Sequence, residues 1–320
     1  MPPVLDVQDL TTNYLTLSGW VRAAEGVSFK VEPGEALGLA GESGCGKTTI
    51  ALSLIKLLPR GGVIRKGRIL FEGLDLVPLK DNEMRKIRWK GIASVFQGAM
   101  NAFNPVIKIG DQIVEAIQTH EKDVDKKSAM ARAGNLFKMV GLEPERVDNY
   151  PHEFSGGMRQ RALIAMALAT NPKLLIADEP GTALDVIVQA QTLQLMRELK
   201  DKLDLSMIMI SHDLSIIAET CEKIAIMYAG RVVEYGDADS IFNEPLHPYT
   251  QGLIKAFPSV KGPRVRLSSI PGQPPDLLNP PPACRFNPRC PYVMDVCKKI
   301  DPPLTMSGKG EHLVACHLYD

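Results

Sequence analysis

Residues 35–58 read Glu35-Ala-Leu-Gly-Leu-Ala-Gly41-Glu-Ser-Gly-Cys-Gly46-Lys47-Thr48-Thr49-Ile50-Ala-Leu-Ser-Leu-Ile-Lys-Leu-Leu58. The turn Pro33–Gly34 leads in, and Glu35–Ala40 then predicts a short buried strand. At the other end, Ile50–Leu58 is mostly apolar, lacks Gly and Pro, and stops at Pro59, which predicts a buried helix. The link between them, Gly41-x4-Gly46-Lys47-Thr48, fits a phosphate-binding loop. Its backbone N–H groups (Gly41, Ser43, Gly44, Cys45, Gly46) turn inward around phosphate oxygens. Lys47 adds a point charge, Thr48 offers Mg²⁺ a hydroxyl, and Thr48 and Thr49 lead into the positive end of the helix. The competing reading, a chance glycine-rich turn, loses to the strand before and the helix after.

Working outward, Val4–Leu10 and Gly26–Val31 read as strands, as does Ile92–Phe96 before Gln97. A further apolar strand, Lys173–Ala177, runs into Asp178-Glu179-Pro180, and Ser206–Ile210 runs into Ser211-His212-Asp213. Asp111–Thr119, Lys126–Val140 and Met158–Ala169 have helical patterns. Strands alternating with helices define an α/β fold with a parallel sheet and a mostly helical insertion. Asp178, at a strand end, is placed to hold Mg²⁺ through water, and Glu179 to polarise an attacking water. Alone, such an Asp-Glu pair is more often a helix cap; the phosphate loop upstream gives it force. The charges of 121–127 read as a solvated helix start without function.

Phe154-Ser155-Gly156-Gly157-Met158-Arg159-Gln160-Arg161 is a second anion-binding pattern, Ser and paired Gly at a helix start. Its own nucleotide does not need it. Here the chain resembles the ATP-binding cassette (ABC) ATPases, whose signature is close to LSGGQ. The resemblance implies a RecA-like phosphate-loop core with an antiparallel β subdomain and a helical subdomain. It also implies two cassettes paired head to tail, so that Ser155, Gly156, Gly157 and Met158 cover the nucleotide of the partner. By the same resemblance Gln97 senses Mg²⁺ beside Thr48 and Asp178, and Ala183 and Asp185 lie on a loop at the dimer interface. Lys47, Glu179 and His212 become the catalytic set, and Tyr14 the aromatic that stacks on adenine, with Trp20 as rival.

Lys and Arg total 37, as do Asp and Glu, so net charge is zero, which argues against bulk-charge binding to DNA or RNA. No apolar run approaches the ~20 residues that span a bilayer. The opening MPPVLDVQDL is not a basic-then-apolar leader, so no secretion signal is expected. One signature and no sustained heptads favour a transporter subunit over a repair or translation ATPase; a soluble ABC ATPase acting on nucleic acid is the different-class alternative. Such a subunit docks on separate membrane proteins, and the resemblance places the docking around 99–105. It would sit peripherally on the cytoplasmic face of the membrane.

The last quarter differs from the rest. Of 24 prolines, 14 lie at or beyond Pro245, and four of six cysteines (Cys284, Cys290, Cys297, Cys316) fall there. The expected division is a cassette over 1–240, its helical subdomain inserted near 98–160, and a small irregular extension over 241–320. His247-Pro248-Tyr249-Thr250 and Leu267-Ser-Ser-Ile-Pro-Gly272 resemble the oligopeptide/dipeptide importer branch. Gly181, where that branch has Thr or Ser, and Ala283, where it has Gly, depart from it. Disulfides are disfavoured in a cytosolic chain. Zinc is an alternative, but it usually takes cysteines two to four residues apart. A [4Fe–4S] cluster tolerates wide spacing, and the resemblance implies one, stapling a segment with little core of its own. The branch further implies a paralogous second ATPase, two transmembrane permeases and an extracellular solute-binding protein. Short peptides are the leading cargo, with oligosaccharides or nickel as alternatives.

Overall fold

A computed structural model describes residues 2–96, 102–182, 184–256, 270–307 and 310–319. The chain forms two compact units, Met1–Pro78 with Met209–Asp320, and Leu79–Ile208. This division follows a different line from the sequence boundary at residue 240.

In the first unit, β1 (Leu5–Thr16) and β2 (Gly19–Val31) make an antiparallel hairpin, longer than the expected strands. The alternation of Leu5, Val7 and Leu10 against solvated neighbours buries one face, and shifts of register between Val7 and Tyr14 carry the pairing onward. Next come β3 (Ala36–Ala40), α1 (Lys47–Leu54), β4 (Gly62–Phe71) and β5 (Leu74–Asp75). β4 pairs with β1, giving the order β2-β1-β4-β5. All five residues of β3 are buried, as a strand covered on both faces requires. Helix α1 ends earlier than Pro59 suggests. Lys56 turns left-handed (φ 52°), Lys56 N–H donates to the Ser53 carbonyl and Leu57 N–H to that of Leu52. These two bonds close the helix end before proline is reached.

The second unit holds α2 (Asp81–Ile87), β6 (Ile92–Val95), α3 (Ile109–His120), α4 (Lys126–Met139), α5 (Gly156–Ala167), β7 (Leu174–Asp178) and α6 (Val186–Leu203). β6 and β7 run parallel. The charges of 121–127 have local tasks: Asp125 caps α4 through the Ser128 N–H at 2.6 Å, and Glu121 takes both oxygens to Arg132. Phe137 of α4 meets Phe154 edge-on at 6.1 Å, tying the helical hairpin to the chain just before α5.

The unit boundary falls within β8 (Ser206–Ser211). Beyond it, α7 (Leu214–Thr220), β9 (Lys223–Tyr228), β10 (Arg231–Asp237), α8 (Ala238–Asn243) and α9 (Pro248–Ala256) return to the first unit. β9 lies parallel to β3 and antiparallel to β10. Among the described residues beyond α9, the tail is irregular apart from one short turn of 3₁₀ helix and β11 (Thr305–Met306) and β12 (Leu313–Val314). It is nevertheless woven in: β12 pairs with β10, and Arg22 N–H donates to the Leu277 carbonyl.

Candidate nucleotide site

The phosphate loop joins β3 to α1. Gly41, Gly44 and Gly46 all have positive φ (147°, 79° and 104°). A Cβ at Gly41 would sit 2.1 Å from the Met227 carbonyl oxygen, and one at Gly46 would sit 2.1 Å from that of Ala23. Both positions therefore demand glycine on space as well as angle. Lys47 is buried and folds back: its Nζ donates to the carbonyls of Gly41 (2.7 Å) and Glu42 (3.1 Å) and lies 3.6 Å from Cys45 Sγ. Thr48 and Ser43 are exposed. Cys45 is buried, and burial pushes its thiol pKa up.

Also in the first unit, His212 follows β8 on the surface, and Asp213 caps α7 through the Ser215 N–H. Tyr14 lies half-buried on β1, its ring against Gly62, where a Cβ would meet Cε1 at 2.7 Å. The face of Trp20 is covered by the Arg65 guanidinium at 4.6 Å. That cation–π contact covers one face of the ring.

In the second unit, Asp178 is buried at the end of β7, and Glu179 follows with φ 48°. A left-handed backbone at a non-glycine residue costs energy and collects at functional positions. Thr182 Oγ1 donates to Glu179 Oε2 at 2.9 Å. Asp185 caps α6, accepting from the Val188 N–H at 2.9 Å. Ser155 caps α5 through the Met158 N–H at 3.3 Å, so the start of that helix lies at the surface with Ser155 exposed. Gly157 packs against α6, where a Cβ would come 2.5 Å from Val188 Cγ1. Val186 and Ile187 are 80% and 72% exposed beside Asp185. At Gly181 the space a side chain would take is filled by Gln189, 2.5 Å from an added Cβ. Gln97 and Ala183 lie outside the described residues, as do 99–101 of the docking stretch.

The four tail cysteines line one small cavity with His247, Phe286, Asn287 and His317. Burial pushes the thiols of Cys284 and Cys290 up, and that of Cys316 to about 11. Any metal bound there must displace protons. Among the described residues no group of three or more His, Cys, Asp or Glu is arranged to hold a metal ion. Ala283, the departure before Cys284, stands at φ 61°, the conformation for which glycine is suited. Three residues went unread in the sequence. Glu42 is a variable position of the loop, Arg289 hides among prolines, and Tyr249 sat unexplained in the phrase His247–Thr250.

The fold and these motifs define an ABC cassette ATPase. A solved structure described as the dimeric cassette MJ0796, of a bacterial ABC transporter, superposes with TM-score 0.65 at 26% identity, covering 73% of this chain and 98% of that one. The ABC transporter family pattern matches residues 24–182, and that for the C-terminal region of oligopeptide/dipeptide transporters matches 233–297. The oligopeptide transport ATP-binding protein OppD of Bacillus subtilis is 48% identical over 94% of this chain and 85% of its own length. The dipeptide transport ATP-binding protein DppD of Caldanaerobacter subterraneus is 43% identical over 100% and 98%. The chain belongs to this family of transport ATP-binding proteins, and it hydrolyses ATP. Among the described residues no helix is long and apolar enough to cross a membrane.

Proposed function

We propose that this chain powers the import of short peptides through separate membrane subunits. The observation that carries the reading is that the similarity to the peptide-transport relatives runs through both cassette and tail. In sequence terms, 1–240 is the cassette, 98–160 its helical insertion, and 241–320 the extension. Loop N–H groups and Lys47 bind the triphosphate, while Tyr14 stacks on adenine. Thr48 and Asp178, with Gln97, offer the oxygen donors that suit Mg²⁺, which would supply charge neutralisation on the phosphates. Glu179 accepts a proton from the attacking water, and His212 orients the attack at the γ-phosphate. Ser155–Met158 serve the nucleotide of a second cassette, with Ala183 and Asp185 at that interface; the exposed Val186 and Ile187 beside it favour a covered surface.

The second cassette is a paralogue, and two permeases and an extracellular solute-binding protein complete the importer, at whose cytoplasmic membrane face this chain sits. Purification of the transporter through a tag on this chain tests the assembly. Two ATPase subunits of different mass are expected, and two copies of this chain alone would refute the heterodimer. In that complex Glu179→Gln should cut peptide-stimulated ATP turnover by about 100-fold or more; unchanged turnover removes Glu179 as base. Uptake of oligosaccharide or nickel, and not of labelled di- and tripeptides, would overturn the cargo.

The tail cysteines suit a [4Fe–4S] cluster better than zinc. Four thiols face one cavity, and the ligands of an iron–sulfur cube stand further apart than those of one zinc ion. Anaerobically purified protein should absorb near 400 nm; stoichiometric zinc without that band sinks the cluster.

A further inference from the structure

Two tail residues that catalysis does not use, Arg289 and Tyr249, converge on one residue of the phosphate loop, Glu42. Arg289, next to Cys290, grips the Glu42 carboxylate with both arms: Nη1 to Oε2 at 2.7 Å and Nη2 to Oε1 at 3.0 Å. Its remaining N–H groups are also engaged. Nε donates to the Pro271 carbonyl (2.9 Å), Nη1 to the Tyr228 hydroxyl (3.3 Å), and Nη2 to the Ile270 carbonyl (3.5 Å). All five guanidinium donors are thereby satisfied in a side chain only 5% exposed. The Tyr249 hydroxyl accepts from the backbone N–H of Glu42 at 2.9 Å. Tyr249, Tyr228 and Phe286 pack against one another with ring centroids 4.7–5.5 Å apart, so the hydroxyl and the guanidinium share one support. The Glu42 carbonyl in turn accepts from Lys47 Nζ and from the Cys45 N–H.

We propose that Arg289 is a positioning residue for ATP: acting from the tail through Glu42, it fixes the loop that presents Lys47 and cancels a carboxylate at the triphosphate site. Two physical effects point the same way. A bidentate fork holds a carboxylate in one orientation, which a point charge does not. An unpaired carboxylate within the loop would repel the phosphates that the loop must attract. The inference rests on ATP binding at this loop, and is independent of the cargo and of what the cysteines hold.

The test is steady-state ATPase kinetics of the assembled transporter, after the wild-type ATP KM has been measured. Arg289→Met should raise the KM for ATP about tenfold with kcat changed less than about threefold. Arg289→Lys, which keeps charge but loses the fork, should fall between. Adding Glu42→Gln to Arg289→Met should recover part of the affinity by removing the exposed charge. A tie that only stabilises the fold predicts another pattern: a lower melting temperature, an ATP KM within twofold of wild type, and no recovery in the double variant. That pattern overturns the proposal. Should Arg289→Met fail to assemble, Arg289→Lys decides alone: a raised KM supports the role, an unchanged one refutes it.

Discussion

His247 is buried, its ring Nδ1 accepting from the Tyr249 N–H at 3.0 Å while its backbone N–H donates to Glu234 at 2.9 Å. Burial outweighs the nearby Glu234 carboxylate and pushes its pKa down to about 4. An unfolded histidine titrates near 6.5. Between those values the unfolded chain binds a proton that the folded one refuses, so stability rises with pH across this window and is fully present above it. The loss on moving from pH 7 to pH 5 should be on the order of 2 kcal/mol. Chemical denaturation at both pH values checks it: wild type should lose more than His247→Asn, and equal losses would remove histidine as the cause. Residues of this kind were poorly legible in the sequence. Gly41, Gly46, Lys47 and Asp178 announce themselves because phosphate chemistry restricts what can stand there. Glu42 and Arg289 meet 247 positions apart, and only the fold makes them neighbours.

At the scale of elements, the pattern of buried residues was readable and the ends were not. α4 and β8 lie within one residue of expectation, since helical apolar spacing marks a covered face and a short continuous apolar run marks a strand buried on both faces. β1 and β2 run well beyond their apolar runs, because the hairpin pairs Tyr14 with Val21 and Leu15 with Trp20 where one side is open to solvent. Backbone pairing there needs no hydrophobic signature. The early stop of α1 has the same kind of cause, a local capping geometry that Lys56 adopts although glycine is the usual occupant. In β3 the glycine has a packing reason. A Cβ on Gly38 would lie 2.2 Å from Ile217 Cγ2, so α7 approaches the strand at a distance only glycine allows.

For the whole molecule, the composition shift near residue 245 marks a different kind of sequence but says nothing of where it packs. The answer lies in long-range contacts. β12 pairs with β10, Glu234 of β10 meets His312 at 2.7 Å, and Arg285 reaches back to Glu25 on β2. The unit holding the phosphate loop is thus assembled from both ends of the chain, while Leu79–Ile208 is one continuous segment. This arrangement sets an order of events during synthesis. The continuous segment can close as soon as it leaves the ribosome, whereas the loop that must hold ATP waits for the second part of its unit, from Met209 onward. Ribosome-stalled chains ending near residue 260 should therefore resist protease over 79–208 and be cut within 1–78; equal protection of both would contradict that order. The segment from Met209 onward would then act as a quality check, since a product truncated before it leaves the nucleotide-binding unit unfinished.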